Sequence, residues 1–158
     1  MFLTVLPAVA AAQFESAPAF PGAEGHGRHV TGGRGGRVVH VTNLNDSGPG
    51  SLREAVLGDD RKIVVFDVGG VIALESNLET GRNTTIMGQT APSPGITVRY
   101  YTVVPESNNI IRYIRFRRGQ ERNVNDNADA SSATRKTGII LDHCSFSWSI
   151  DEVASFYD

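Results

Sequence analysis

The 158 residues contain a single cysteine, Cys144, so no internal disulfide can form and a zinc site built from cysteines is excluded. That thiol reads as a buried, unreactive side chain. Net charge is almost lacking as well. Fifteen basic against seventeen acidic side chains leave −2, which removes any bulk electrostatic case for nucleic acid or an anionic membrane as partner. Lysine is scarce, because thirteen of the fifteen basic residues are arginine. Arg112, Arg115, Arg117 and Arg118 cluster, either as planar donors for carboxylates or as a charged strand edge that resists aggregation. No apolar run reaches the roughly 20 residues that span a bilayer. The stretch Phe2 to Ala12 ends in three alanines and reads as a signal peptide (1–12) cleaved near Gln13, although it lacks a positive n-region. Residues 13–158 then form one domain, with 40% hydrophobic residues across the chain to supply a continuous core.

Several local signals are missing too. The glycines of Pro21-Gly22-Ala-Glu-Gly25-His-Gly27 and Gly32-Gly33-Arg34-Gly35-Gly36 precede a strand-like run, Val38 to Val41, without G-x-G-x-x-G spacing. A dinucleotide loop needs glycines after a strand, so these predict a closely packed leading loop instead. No Asn-Gly or Asp-Gly pair marks a tight hairpin, which disfavours a β-sandwich. No helix-length amphipathic segment lies between strands, which disfavours a doubly wound α/β sheet. One short helix is predicted at Ser51-Leu-Arg-Glu54, a capping box running to Leu57 with Leu52, Ala55 and Val56 as its apolar face.

What is present is repetition. Ile63–Phe66, Thr84–Met87, Ile110–Ile114 and Gly138–Leu141 are β-rich runs whose starts are 21, 26 and 28 residues apart. Gly69-Gly70, Gly81-Arg-Asn83, Pro92-Ser-Pro-Gly95 and Glu106-Ser-Asn-Asn109 punctuate them, and Val71–Leu74 and Ile96–Val98 read as second strands. Periods of this size predict a solenoid whose coils bury their inner faces by stacking on one another.

The most specific pattern is Asn127-Ala-Asp129, then Ile139-Ile-Leu-Asp142-His143-Cys144-Ser145, then Asp151-Glu152-Val-Ala-Ser155. Asp142 lies 13 residues after Asp129, and Asp151 lies 9 after Asp142. In these spacings the chain resembles the pectate lyases and the similar pectate trisaccharide-lyases. Ala19-Phe-Pro-Gly-Ala-Glu-Gly, the Gly-Gly-Arg-Gly-Gly run and Val41 to Ala55 resemble the leading segment of the same family. The resemblance implies an all-β, right-handed parallel β-helix with a short capping helix over one end. It implies a secreted, calcium-dependent enzyme, monomeric when full length, that cleaves polygalacturonate by β-elimination, with no nucleic-acid or membrane partner.

Elimination across a 4-linked uronate removes the C5 proton beside a carboxylate. A divalent cation on that carboxylate stabilises the developing charge, and a base takes the proton. Calcium suits the first role because it accepts six to eight oxygens in loose geometry. Asp129 and Asp151 are the expected ligands, with Asn127 placed on the same strand face as Asp129. Family members tend to carry Asp at the positions of Asn127 and Ser155, so the site is less charged here, and Asp126 or Glu152 would compensate. A solvated acidic loop without an ion is the other reading of the same residues. The resemblance gives Asp142-His143 a structural role, and alternation along a strand is expected to send the two to opposite faces. His26, His29 and His40 read as surface or packing residues.

No arginine follows Arg135, so the family's catalytic arginine has no counterpart and no catalytic residue is assigned. The chain is expected to be the N-terminal part of such an enzyme, inactive and aggregation-prone alone. The rival readings are a non-catalytic β-helix (an acidic-polysaccharide binding module, an adhesin or an inactive remnant) and a metal-free lyase acting on methylated pectin. Asn45-Asp-Ser47 and Asn83-Thr-Thr85 are glycosylation sequons, usable in a eukaryotic source.

Overall fold

The computed structural model describes residues 17–122 and 127–158. The apolar leader and Asp126 therefore lie outside the described residues. From Arg37 onward the described residues form thirteen short strands in three sheets: β1 (Arg37–Val41), β2 (Lys62–Phe66), β5 (Thr84–Met87), β8 (Asn109–Arg112) and β11 (Ile139–Asp142) form the first. β3 (Gly70–Ala73), β6 (Ile96–Arg99), β9 (Ile114–Arg117) and β12 (Ser145–Ser147) form the second. β4 (Leu78–Glu79), β7 (Val103–Val104), β10 (Ser131–Thr134) and β13 (Ala154–Tyr157) form the third. Every strand pairing among the described residues is parallel, and from β2 onward successive strands fall in different sheets. This is a parallel β-helix of four stacked coils.

Alternation along each strand sends every second residue inward, and the register then stacks like on like. Val39, Val64, Ile86, Ile111 and Leu141 form one such ladder, and Ile72, Val98, Phe116 and Phe146 another. The rings of Phe116 and Phe146 lie 4.8 Å apart and 4° from parallel, at the spacing of neighbouring strands. The helix α1 (Leu52–Val56) packs Leu52, Ala55 and Val56 into this core, as its pattern predicts. Ser51 Oγ accepts from the Glu54 amide at 3.2 Å, while the Glu54 carboxylate accepts from the Gly50 amide at 2.8 Å, one residue earlier than a simple capping box places it. The leading glycines are closely packed: a Cβ on Gly33 would lie 1.8 Å from the carbonyl oxygen of Lys62, and one on Gly36 would lie 2.0 Å from that of Arg61.

Three sequence expectations change. The run Ile110–Ile114 is two strands, because Tyr113 takes a left-handed backbone (φ 57°) and turns the chain between β8 and β9. One coil later His143 (φ 51°) makes the same corner. Alternation therefore does not separate Asp142 from His143: the His143 Nδ1 lies 2.9 Å from Asp142 Oδ1, and its ring stacks on Tyr113 at 4.5 Å. Asp142 also accepts from Arg112 Nε at 2.6 Å, across the coils. Third, β1 extends the first sheet below the coils the repeat period reveals.

Asn83 and Asn108 stack at another corner, each with positive φ. Asn108 Nδ2 donates to Asn83 Oδ1 at 2.8 Å, and its Oδ1 accepts from the Thr31 and Gly32 amides at 3.1 and 3.0 Å, tying the leading segment to the coils. The Asn83 amide nitrogen donates to Asp59 O at 2.9 Å, so that sequon is committed to packing.

Replacing Asn108 with Ala removes these bonds and places a Cβ where the left-handed backbone disfavours it. Asn108→Ala is expected to lower stability by about 2–4 kcal/mol in urea unfolding, with Asn108→Gly in between because it keeps the backbone freedom. Equal losses for the two variants would remove the backbone part of this account.

Asp60 offers a pH test. Its hydrogen bonds to Arg37 and Lys62 lower its pKa from 3.8 to about 2. A carboxyl depressed on folding contributes stability above its unfolded value and loses it as pH falls through its folded one. Asp60→Asn is therefore expected to melt below the wild type near neutral pH and to converge with it between pH 3.8 and about 2. High salt is expected to shrink the gap, since the pair is exposed.

Candidate metal centre

The third sheet carries the acidic cluster. β10 and β13 pair with Ser131 opposite Ala154, and Asp129 and Glu152 each stand two residues before the start of this pairing. Asp129 is held from beneath by the previous coil: Thr102 Oγ1 donates to its carbonyl at 2.7 Å, and the Val103 amide donates to the Ala130 carbonyl at 3.1 Å. Its side chain is buried and accepts a hydrogen bond from Ser155 Oγ. Asp151 and Glu152 are exposed, and one oxygen from each lies within 4.8 Å of the other and of Asp129.

The structure thus brings together Asp129 and Asp151, 22 residues apart in sequence, and adds Glu152 as an equal member. Asn127 is placed differently from its expectation. β10 begins at Ser131, and Asn127 is exposed with φ 50°, so strand alternation does not govern how it relates to Asp129. Ser155 orients the Asp129 carboxylate by donating to it, a role the sequence does not reveal. Among the described residues no lysine or arginine is ion-paired with any of the three carboxylates. Their field reaches Tyr157, whose hydroxyl donates to Glu152 Oε1 at 3.2 Å. A hydrogen bond with Ser155 lowers the Tyr157 pKa, but the bond to Glu152, partial desolvation and the charges of Glu152 and Asp129 outweigh it and raise the phenol above its ordinary value.

This donor set fits a hard divalent cation. Three carboxylates from consecutive coils, one rigid and two facing solvent, offer oxygen ligands while leaving positions open, which is how calcium is held when it shares its shell with a second molecule. A zinc site would call for His or Cys, and neither is in the cluster.

The clustered arginines are used elsewhere. Arg112 pairs with Asp142, Arg115 donates to Thr97 Oγ1 and Pro94 O at 2.8 Å each, and Arg117 donates to Ser145 O at 2.9 Å. Cys144 is half-buried, and burial raises its thiol pKa, as befits an inert side chain. His26 and His29 lie on an exposed 3-10 turn, and His40 pairs with Asp67 at 2.9 Å.

No family model matches the chain. It is 50% identical over 139 residues, 87% of its length, to "Probable pectate lyase C" of Emericella nidulans, and 49% identical over 140 residues to the protein of the same name in Aspergillus terreus. "Probable pectate lyase 5" of Arabidopsis thaliana matches 88 residues at 35% identity, 49% of this chain and 22% of that one. The match covers 32% of each fungal protein, so the chain spans about a third of the length of the curated relatives it matches. Among solved structures, jun a 1, the major allergen from cedar pollen, superposes with a TM-score of 0.60 over 84% of this chain and 44% of its own. At 22% identity that likeness concerns the fold. With close sequence relatives and the coiled fold in agreement, the chain belongs to the pectate lyase family.

Proposed function

We propose that the chain carries the calcium-binding part of a secreted pectate lyase that cleaves polygalacturonate by β-elimination. Asp129 and Asp151 are its ligands, Glu152 completes the carboxylate set, and Asn127 contributes its amide oxygen. The observation that carries this reading is the approach of three carboxylates within 4.8 Å, with no basic side chain among the described residues to neutralise them. The names of the relatives support the substrate. Bound calcium would draw charge from the uronate carboxylate and so make the neighbouring C5 proton easier to remove.

The residues of this chain bind and orient. Ser155 donates to the Asp129 carboxylate, and Asp151 and Glu152 are exposed, where a polysaccharide carboxylate approaches. No residue here is assigned as the base. Arg135, the last arginine, is exposed at a corner with φ 57° after β10 rather than within the sheet that bears the carboxylates. For the 158 residues alone this favours a second reading, in which acidic polysaccharide binds without being cleaved. No helix among the described residues is long and apolar enough to cross a membrane.

Calcium titration by calorimetry tests the assignment. Asp151→Asn, at an exposed side chain, and Asp129→Ala are each expected to weaken calcium binding roughly tenfold or more, with melting in chelator little changed for the first. Wild-type affinity in both variants would overturn the site. Unsaturated products from polygalacturonate, formed with calcium and absent with chelator, are expected from a preparation of the full-length protein and not from these 158 residues.

A further inference from the structure

Where the second sheet gives way to the third, β6, β9 and β12 each end at one corner, and the residues there are unlike those of the other two corners. Trp148, the only tryptophan of the chain, is 61% exposed with φ 65°. Its carbonyl accepts from the Gly119 amide at 2.9 Å, which fixes its backbone to the coil below. The guanidinium of Arg99 lies 5.8 Å from the Trp148 ring and 4.7 Å from that of Tyr100, and that of Arg122 lies 4.5 Å from the Tyr100 ring. Between Trp148, Ser149 and the turn Gly119–Glu121 is an open cavity of ≈ 540 Å³, a size that accommodates a small ligand.

A single exposed aromatic is ordinary. Two further observations distinguish this one. Ser149, a residue that lines the cavity, has a buried Oγ, and Arg99 has a buried Nε, and among the described residues neither atom has a hydrogen-bond partner. Arg99 Nη2 is bonded to Glu121, so the Nε–Nη2 edge, which takes a carboxylate through two parallel bonds, is only half used. Glu121 is an exposed side chain on a turn, and it occupies the place of a carboxylate without filling it.

We propose that Arg99, Tyr100 and Trp148 form a second sugar site, which takes an acidic residue of a polysaccharide with its ring against Trp148 and its carboxylate on Arg99 in exchange for Glu121. The choice of a uronate rests on the function proposed above, while the site itself needs neither calcium nor cleavage. Its place suits that use. Trp148 is three residues from Asp151, at most about 11 Å along an extended chain, so one polymer could touch both. An aromatic face suits the apolar side of a sugar ring, and arginine adds the charge selectivity that the aromatic lacks.

Because Trp148 is the sole tryptophan, its fluorescence reports on this corner directly. Trigalacturonate, titrated in the presence of chelator, is expected to change that emission saturably, and its methyl-esterified form to bind roughly tenfold more weakly. Glu121→Gln is expected to tighten trigalacturonate several-fold by removing the internal competitor. Trp148→Ala, followed by calorimetry, is expected to weaken it about tenfold. Silent fluorescence together with calcium-dependent binding of polygalacturonate unaffected by Trp148→Ala would overturn the site and leave the lyase reading intact. Equal binding of acid and ester would also overturn it, by removing the role of Arg99. A fluorescence response in a protein that does not bind calcium would uphold the site while the calcium-dependent lyase reading fell.

Discussion

In-register parallel pairing between coils is the constraint on which the rest of this protein depends. A coil of this kind has no closed core of its own, and its inward side chains are buried only by the coil above and the coil below. The register fixes which side chains meet. Once Val64 lies under Ile86 and Ile86 under Ile111, the corners, the polar stacks and the acidic cluster are all placed by the same repeat. The constraint reaches into the backbone. Residues closing equivalent corners share a left-handed conformation, as Asn83 and Asn108 do at one and Tyr113 and His143 at another. Their side chains then stack in turn, as an amide pair and as a ring pair.

That constraint explains what the sequence shows and what it hides. The strands of the first sheet are legible because they are runs of β-branched and aliphatic residues at a near-constant period, Ile63–Phe66 and Thr84–Met87 among them. The third sheet is not legible. Leu78–Glu79 and Val103–Val104 are too short to show alternation, and Ser131–Thr134 carries small polar side chains whose strand state comes from pairing with neighbours. Tyr113 hides a corner inside what reads as a single strand, because an aromatic residue gives no local signal of a left-handed turn. The same blind spot separates Asp142 and His143 on paper and joins them in the fold.

The acidic site divides along similar lines. Asp129 and Asp151 are found from motif spacing, since the repeat brings one coil over the next. Glu152 is harder to rank from spacing alone, because its equality with Asp151 shows only in how close both come to Asp129. Ser155 is hidden for a chemical reason. In the sequence it is a neutral residue where the family tends to have a carboxylate, whereas in the structure its hydroxyl donates to the buried Asp129 and fixes it. A donor and a ligand at the same position do different work, and only geometry tells them apart.

Stacking like on like has an electrostatic consequence outside the core, where it would pile equal charges on one another. The chain relieves this wherever cations meet. Arg37 lies against Lys62, and Asp60 bridges both. Arg99 lies against Arg117, and Glu121 pairs with the first while the second turns to Ser145. Where Asp142 meets Arg112 the register itself supplies opposite signs. Asp129, Asp151 and Glu152 break this rule, since acid meets acid and no basic side chain among the described residues comes between. Repulsion of that kind opposes folding unless something outside the chain offsets it, and a bound cation does so while the open ligand positions remain free for a second molecule.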